Sequence, residues 1–136
     1  VKRVFVDSSG FLGLLVPEDH SHSRAKALFE QARVERWTLV TTNAVVIESY
    51  SLFLVRTRDR RRSALAFLNA LKRDQVRIER VRKRDEEQAI ALVRAHDDKT
   101  YSLCDTLSFA VMERLGIREA IAFDRHFREY GQFMIL

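Results

Sequence analysis

Apolar residues along this chain switch repeatedly between strand-like runs and helical spacing. "RVFVD", Arg3 to Asp7, is a short β-branched and aromatic run and predicts a buried strand. "SSGFLGLLVP" follows as a short helix or turn, stopped by Pro17. After the polar loop "EDHSHS", Ala25, Leu28, Phe29 and Ala32 recur at helical spacing. "WTLVT" predicts a second strand, and Thr41 or Thr42 can cap the helix "NAVVIESYSLFLVRT". "RDRRRSALAFLNALKRD" predicts another helix, with Leu65, Leu68 and Leu71 facing inward. "QVRIERV" alternates like a strand, and "RDEEQAIALVRAH" is a helix with Ala89, Leu92 and Val93 inward. "DDKTY" is a loop, and "SLCDTLSFAVMERLG" is a helix closed by Gly116. "EAIAFD" is a strand, "RHFREYG" a short helix and "QFMIL" a last strand.

Strands thus alternate with helices, the pattern of an α/β domain built on a parallel sheet with helices on both faces. The chain of 136 residues suits one domain, spanning 1–136, with room for a real core. One proline and four glycines are too few turn residues for an all-β protein. No apolar run approaches the roughly 20 residues that span a bilayer, and "VKRVFVDS" lacks a signal-peptide layout. The lone cysteine, Cys104, excludes an intrachain disulfide and a zinc ribbon, and fits a cytoplasmic setting.

Four acids carry the chemistry. Two predicted strands end in aspartate, "VFVD" at Asp7 and "IAFD" at Asp124. Ligands of open parallel sheets gather beyond the carboxyl ends of the strands, so both belong at one edge. Glu48 and Asp105 stand in apolar helices near their starts, and the helix of Glu48 begins where a strand ends. Asp7 and Asp124 could each serve only as helix caps, and Ser102-x-x-Asp105 matches a capping box. Glu48 lies too deep in its helix for capping; the structural alternative is a salt bridge to an arginine. One shared cause covers all four: a carboxylate cluster. Like charges raise one another's pKa, so such a cluster calls for a counter-charge, and all-oxygen ligation suits Mg²⁺ or Mn²⁺. The net charge of +5 adds attraction for a polyanion, which together with an acidic metal pocket points to phosphodiester chemistry.

The pieces "VDSSGFLGLL", "TTNAVVIESYSL", "DKTYSLCDTLSFAVMERLGI" and "AIAFDRHF", in this order, resemble the PIN domain. The likeness is closer still to the VapC-type toxin ribonucleases of toxin–antitoxin pairs. The resemblance implies a PIN-like (Rossmann-like) central parallel sheet of four to five strands. It maps the family's acids onto Asp7, Glu48, Asp105 and Asp124, and supporting polar residues onto Ser8, Asn43 and Ser102. It further implies cleavage of RNA with one or two Mg²⁺ or Mn²⁺ ions, a cognate antitoxin partner and a homodimer.

Other features add less. "RTRDRRR" offers Arg56, Arg58, Arg60, Arg61 and Arg62 to an RNA backbone, and "RIERVRKR" is a similar run; solvated helix ends explain either equally well. His126, two residues after Asp124, is a candidate phosphate contact, while Cys104 reads as a small core residue and Trp37 as packing. The loop pair His20 and His22 has no second ligand motif beside it. Neither a Gly-x-Ser-x-Gly elbow nor a glycine-rich phosphate loop is present. Two other readings stay open: a solitary RNA-processing or DNA-directed nuclease using the same acids, and a non-catalytic module whose acids bind a partner's arginines.

Overall fold

The computed structural model describes residues 1–136. Five strands, β1 (Arg3–Val6), β2 (Thr38–Thr42), β3 (Arg77–Glu79), β4 (Glu119–Ile121) and β5 (Met134–Ile135), form one sheet in the order β3-β2-β1-β4-β5, every pairing parallel. Seven helices surround it: α1 (Ser8–Leu15), α2 (His22–Glu35), α3 (Asn43–Arg56), α4 (Arg60–Arg73), α5 (Lys83–Ala95), α6 (Leu103–Leu115) and α7 (Arg125–Tyr130). The expected α/β class and strand number are therefore present. No helix is long and apolar enough to cross a membrane.

β1 lies at the centre of the sheet because its run can be buried on both faces: Val4, Phe5 and Val6 are fully enclosed. Phe5 stands opposite Val40 of β2 and Ala120 of β4. Aromatic packing then fixes the helices that carry the acids. Phe11 of α1 packs edge-on against Phe67 of α4, with ring centroids 5.1 Å apart, and Phe67 stacks on Phe53 of α3 at 5.3 Å. On the other side Phe109 of α6 meets Phe127 and Tyr130 of α7, at 4.9 and 4.2 Å. Trp37 is a packing residue, as expected, with the Lys2 ammonium 4.0 Å above its ring.

The sequence reading needs correction at several places. In α4 the inward stripe is Ala64, Phe67, Ala70 and Leu71, and Leu65 is 38% exposed. Leu71 is buried and Leu68 packs against the core as expected, so only Leu65 is misplaced, with Ala64 and Phe67 taking the inward positions beside it. In α5 Ala89 and Leu92 face inward with Asp85, and Val93 points outward. His22 is the first residue of α2 and not part of a loop; its Nδ1 lies 2.9 Å from the Gly13 carbonyl oxygen. β4 ends at Ile121, three residues before Asp124, because the backbone N–H groups of Phe123 and Asp124 turn away to bond a side chain of α1.

Candidate metal centre

Each acid stands near the N-terminal end of a helix, and local hydrogen bonds hold it there. Asp7 leaves β1 and caps α1, its Oδ2 accepting from the Ser9 N–H (3.3 Å) and the Ser9 hydroxyl (2.8 Å). The Ser9 oxygen in turn accepts from the N–H groups of Phe123 (2.9 Å) and Asp124 (3.3 Å). One hydroxyl therefore ties the Asp7 carboxylate to the chain just before α7. This closeness requires glycine at position 10, where a Cβ would lie 2.8 Å from the Ile121 carbonyl oxygen.

Asp124 caps α7, its Oδ1 accepting from the His126 N–H at 2.8 Å. The first turn of α7 brings the His126 ring back, so that Nδ1 lies 2.7 Å from Asp105 Oδ2 and 3.4 Å from Asp124 Oδ1. Asp105 completes a capping box at the start of α6: its Oδ2 accepts from the Ser102 N–H, and Ser102 Oγ accepts from the Asp105 N–H, both at 3.0 Å. Glu48, half-buried in the second turn of α3, has Oε1 fixed by the Ser8 hydroxyl at 2.9 Å.

The tightest group is Asp105, Asp124 and His126, whose candidate ligand atoms lie within 4.8 Å of one another. Asp7 joins through charge. Burial pushes its carboxyl up to about 7; the Asp105 carboxylate adds to the rise, and the Ser9 bonds only partly offset it. Glu48 joins through Cys104, whose thiol is raised first by burial and then by Glu48, Asp7 and Asp105. That thiol, set among three carboxylates, stays protonated and is no nucleophile.

The donor set has a consistent pattern. Asp7 binds Ser9 through Oδ2, Asp105 binds Ser102 and His126 through Oδ2, Asp124 binds His126 through Oδ1, and Glu48 binds Ser8 through Oε1 and also meets the Cys104 thiol. No lysine or arginine forms a salt bridge with any of the four; only His126 comes that close. Four hard oxygen donors that keep a buried acid uncompensated fit a hard divalent cation such as Mg²⁺ or Mn²⁺.

The supporting residues divide. Ser8 reaches Glu48, and Ser102 holds Asp105. Asn43 does not reach the acids: its Oδ1 accepts from the Val81 N–H at 2.9 Å, spent on the turn after β3 because β2 and β3 leave the sheet side by side. Ser9 and His126 are the partners the sequence reading missed or undervalued. Their signals were present, as the second serine of "DSSG" and as a histidine two residues after a helix cap. Arg56, Arg58, Arg60, Arg61 and Arg62 lie exposed around the α3–α4 turn.

Comparison with known proteins gives a consistent result. The family model for the PIN domain matches residues 4–132. The 23S rRNA-specific endonuclease VapC20 of Mycobacterium tuberculosis, in two strains, is 35% identical over 128 residues, 94% of each chain. The crystal structure of M. tuberculosis VapC20, described as a sarcin–ricin loop cleaving toxin, superposes with a TM-score of 0.85 at 34% identity, covering 95% of both chains. VapBC2 of Rickettsia felis, solved on a DNA fragment from its promoter, shares the fold alone: TM-score 0.72 at 9% identity, over 98% of this chain and 97% of that one.

Proposed function

Because the chain belongs to the PIN domain family, we propose that it is a divalent-metal-dependent endoribonuclease, the toxin of a VapBC-type pair, with residues 1–136 as one catalytic domain. The observation that carries the reading is the group of Asp105, Asp124 and His126, with Asp7 and Glu48 near it and no lysine or arginine in a salt bridge with any of the four acids. The 35% identity to a 23S rRNA-specific endonuclease supports structured ribosomal RNA as the substrate to test first. The same relationship supports a cognate antitoxin as partner and a homodimer as the working assembly, acting in the cytoplasm.

Asp7, Glu48, Asp105 and Asp124 would hold one or two Mg²⁺ or Mn²⁺ ions through their carboxylate oxygens. Such an ion, when bound, acidifies water and offsets charge developing on the phosphodiester. The chain's own contribution is preorganisation. Ser9 orients Asp7, Ser8 orients Glu48, and Ser102 with His126 orients Asp105. The exposed arginines Arg56, Arg58, Arg60, Arg61 and Arg62 would add attraction for the RNA backbone. The reaction class is hydrolysis by attack of water on phosphorus, in line with the leaving oxygen.

The test is cleavage of 23S rRNA, and of a hairpin carrying its sarcin–ricin loop, in Mg²⁺ or Mn²⁺. Cleavage should stop with EDTA and in Asp105→Asn. Undiminished cleavage in EDTA would contradict the metal reading, and absence of any RNA cleavage by metal-loaded protein would contradict the ribonuclease reading.

A further inference from the structure

We propose that the turn from β3 into α5, bearing Arg80, Arg82, Lys83 and Arg84, is a platform for the RNA backbone on the same edge of the sheet as the acids. The proposal rests on the ribonuclease reading and names where the substrate strand runs beyond the cleavage site.

Position is the first reason. Parallel register sets Glu79, the last residue of β3, beside Thr42, the last of β2. The turn that follows therefore leaves the sheet at the edge where β1 delivers Asp7. Two strand spacings separate β3 from β1, about 10 Å. A strand with one phosphate at the acids would reach the turn within a few nucleotides. The bond from the Val81 N–H to Asn43 Oδ1 joins the turn directly to the start of α3, the helix of Glu48.

Construction is the second. The turn's backbone is anchored to three helices. Besides Asn43 of α3, Asp85 Oδ2 of α5 accepts from the Arg82 N–H at 2.9 Å, and Arg114 of α6 donates to the Arg80 carbonyl at 3.4 Å. Arg114 also pairs with Glu79 (3.0 Å) and Asp85 (2.9 Å). The backbone is held while the four cationic side chains stay exposed; Glu79 and Asp85, which bracket them, are taken by Arg114, and Glu86 and Glu87 follow, exposed, in α5.

Charge placement is the third. Arg82 is the N-cap of α5, and Lys83 and Arg84 fill its first two positions. Cations there oppose the helix macrodipole and cost stability. Arg33 in the last turn of α2 and Lys72 and Arg73 in the last turn of α4 lie at the favourable end. Helix stability thus accounts for those three and not for the cations of the β3–α5 turn. Arg60, Arg61 and Arg62 also begin a helix, but the side-chain bond that holds their turn, from the Thr57 hydroxyl to the Phe53 carbonyl at 2.6 Å, reaches only the last turn of α3, beyond Glu48. Asp85 and Glu86 in the first turn of α5 offset part of this repulsion; a polyanion laid across the β3–α5 turn would offset the rest, and arginine suits phosphate through its paired donors.

The test compares Arg82→Ala/Lys83→Ala/Arg84→Ala with its parent, both carrying Asp105→Asn so that RNA stays intact. The probes are a labelled sarcin–ricin hairpin and an unrelated RNA of equal length, titrated at several salt concentrations. The triple change should weaken binding to both RNAs alike and lower the magnitude of the log–log salt slope by roughly 2, at about 0.7 for each phosphate no longer neutralised. In the absence of RNA its melting temperature should hold or rise, since cations leave the positive end of a helix. An unchanged slope, with the parent binding RNA normally, would overturn the platform and leave the ribonuclease reading intact. A parent that binds no RNA would overturn both. A fall in melting temperature would show that these residues serve the fold; the charge-conserving Arg82→Lys/Arg84→Lys should then fail to restore the slope, and its restoring the slope would support the platform.

Discussion

Asp85 and Asp105 hold the same position, the third residue of a helix, and each accepts from the backbone N–H three residues earlier. Both are buried. Their surroundings then diverge. Asp85 meets the Arg114 guanidinium through both oxygens at 2.9 Å, and Glu79 shares that guanidinium at 3.0 Å. Burial pushes the Asp85 carboxyl up, but hydrogen bonds from Arg114 and the Arg82 backbone outweigh it and hold it below the usual range. Asp105 has no guanidinium; it has His126, and its charge raises Asp7 further above its ordinary value. A buried carboxylate with a matched cation is a structural joint, here fastening β3, α5 and α6. A buried carboxylate lacking one, grouped with Asp124 and His126, is no such joint, and the proposed reading makes it a ligand for a cation from outside.

The contrast can be broken from its structural side first. Arg114→Ala leaves Asp85 and Glu79 without their partner and should cost about 3 kcal/mol in urea unfolding. A loss below about 1 kcal/mol would mean that the joint is replaceable. The acidic side should respond in the opposite sense. The folded protein holds the Asp7 proton up to about pH 7, whereas the unfolded chain releases it near 3.8. Between those values the native state binds the extra proton, so the stability of metal-free protein falls as pH rises through that window. Asp7→Asn should remove most of this slope and stabilise the protein in EDTA at about pH 8 by about 2 kcal/mol, read from thermal melts. A slope that persists in the variant would place its origin elsewhere. The smallest effect is expected at Ser8→Ala. It frees Glu48 Oε1 and should weaken Mn²⁺ binding by about fivefold, or about 1 kcal/mol, with the metal-free melt almost unmoved.

Much of this was legible in the sequence because it is local. Strand-like runs and helical spacing specify the alternation of elements, and cap chemistry marks Asp7, Ser102 and Gly116. Long-range choices were hidden. That Ser9 would bond the chain 114 residues away, or that Arg114 would reach across to Asp85 and Glu79, depends on which elements meet. One position of α4 misled for a related reason: Leu68 and Leu71 pack inward as expected, but Ala64 and Ala70 are buried and Leu65 is left outside. Asn43 misled because proximity in sequence to an acid-bearing helix says nothing about which way the side chain is spent.

Calorimetric titration of Mn²⁺ into wild type and Glu48→Gln, at about pH 5.5 and about pH 7.5, tests the central claim most directly. Wild type should bind in a saturable, EDTA-reversible manner, with affinity rising about tenfold or more between the two pH values as protons leave the cluster. Glu48→Gln, which keeps the shape and removes one charge, should bind far more weakly at both. Equal affinity in the two proteins, independent of pH, would contradict the account and leave the four acids as helix caps and surface charge.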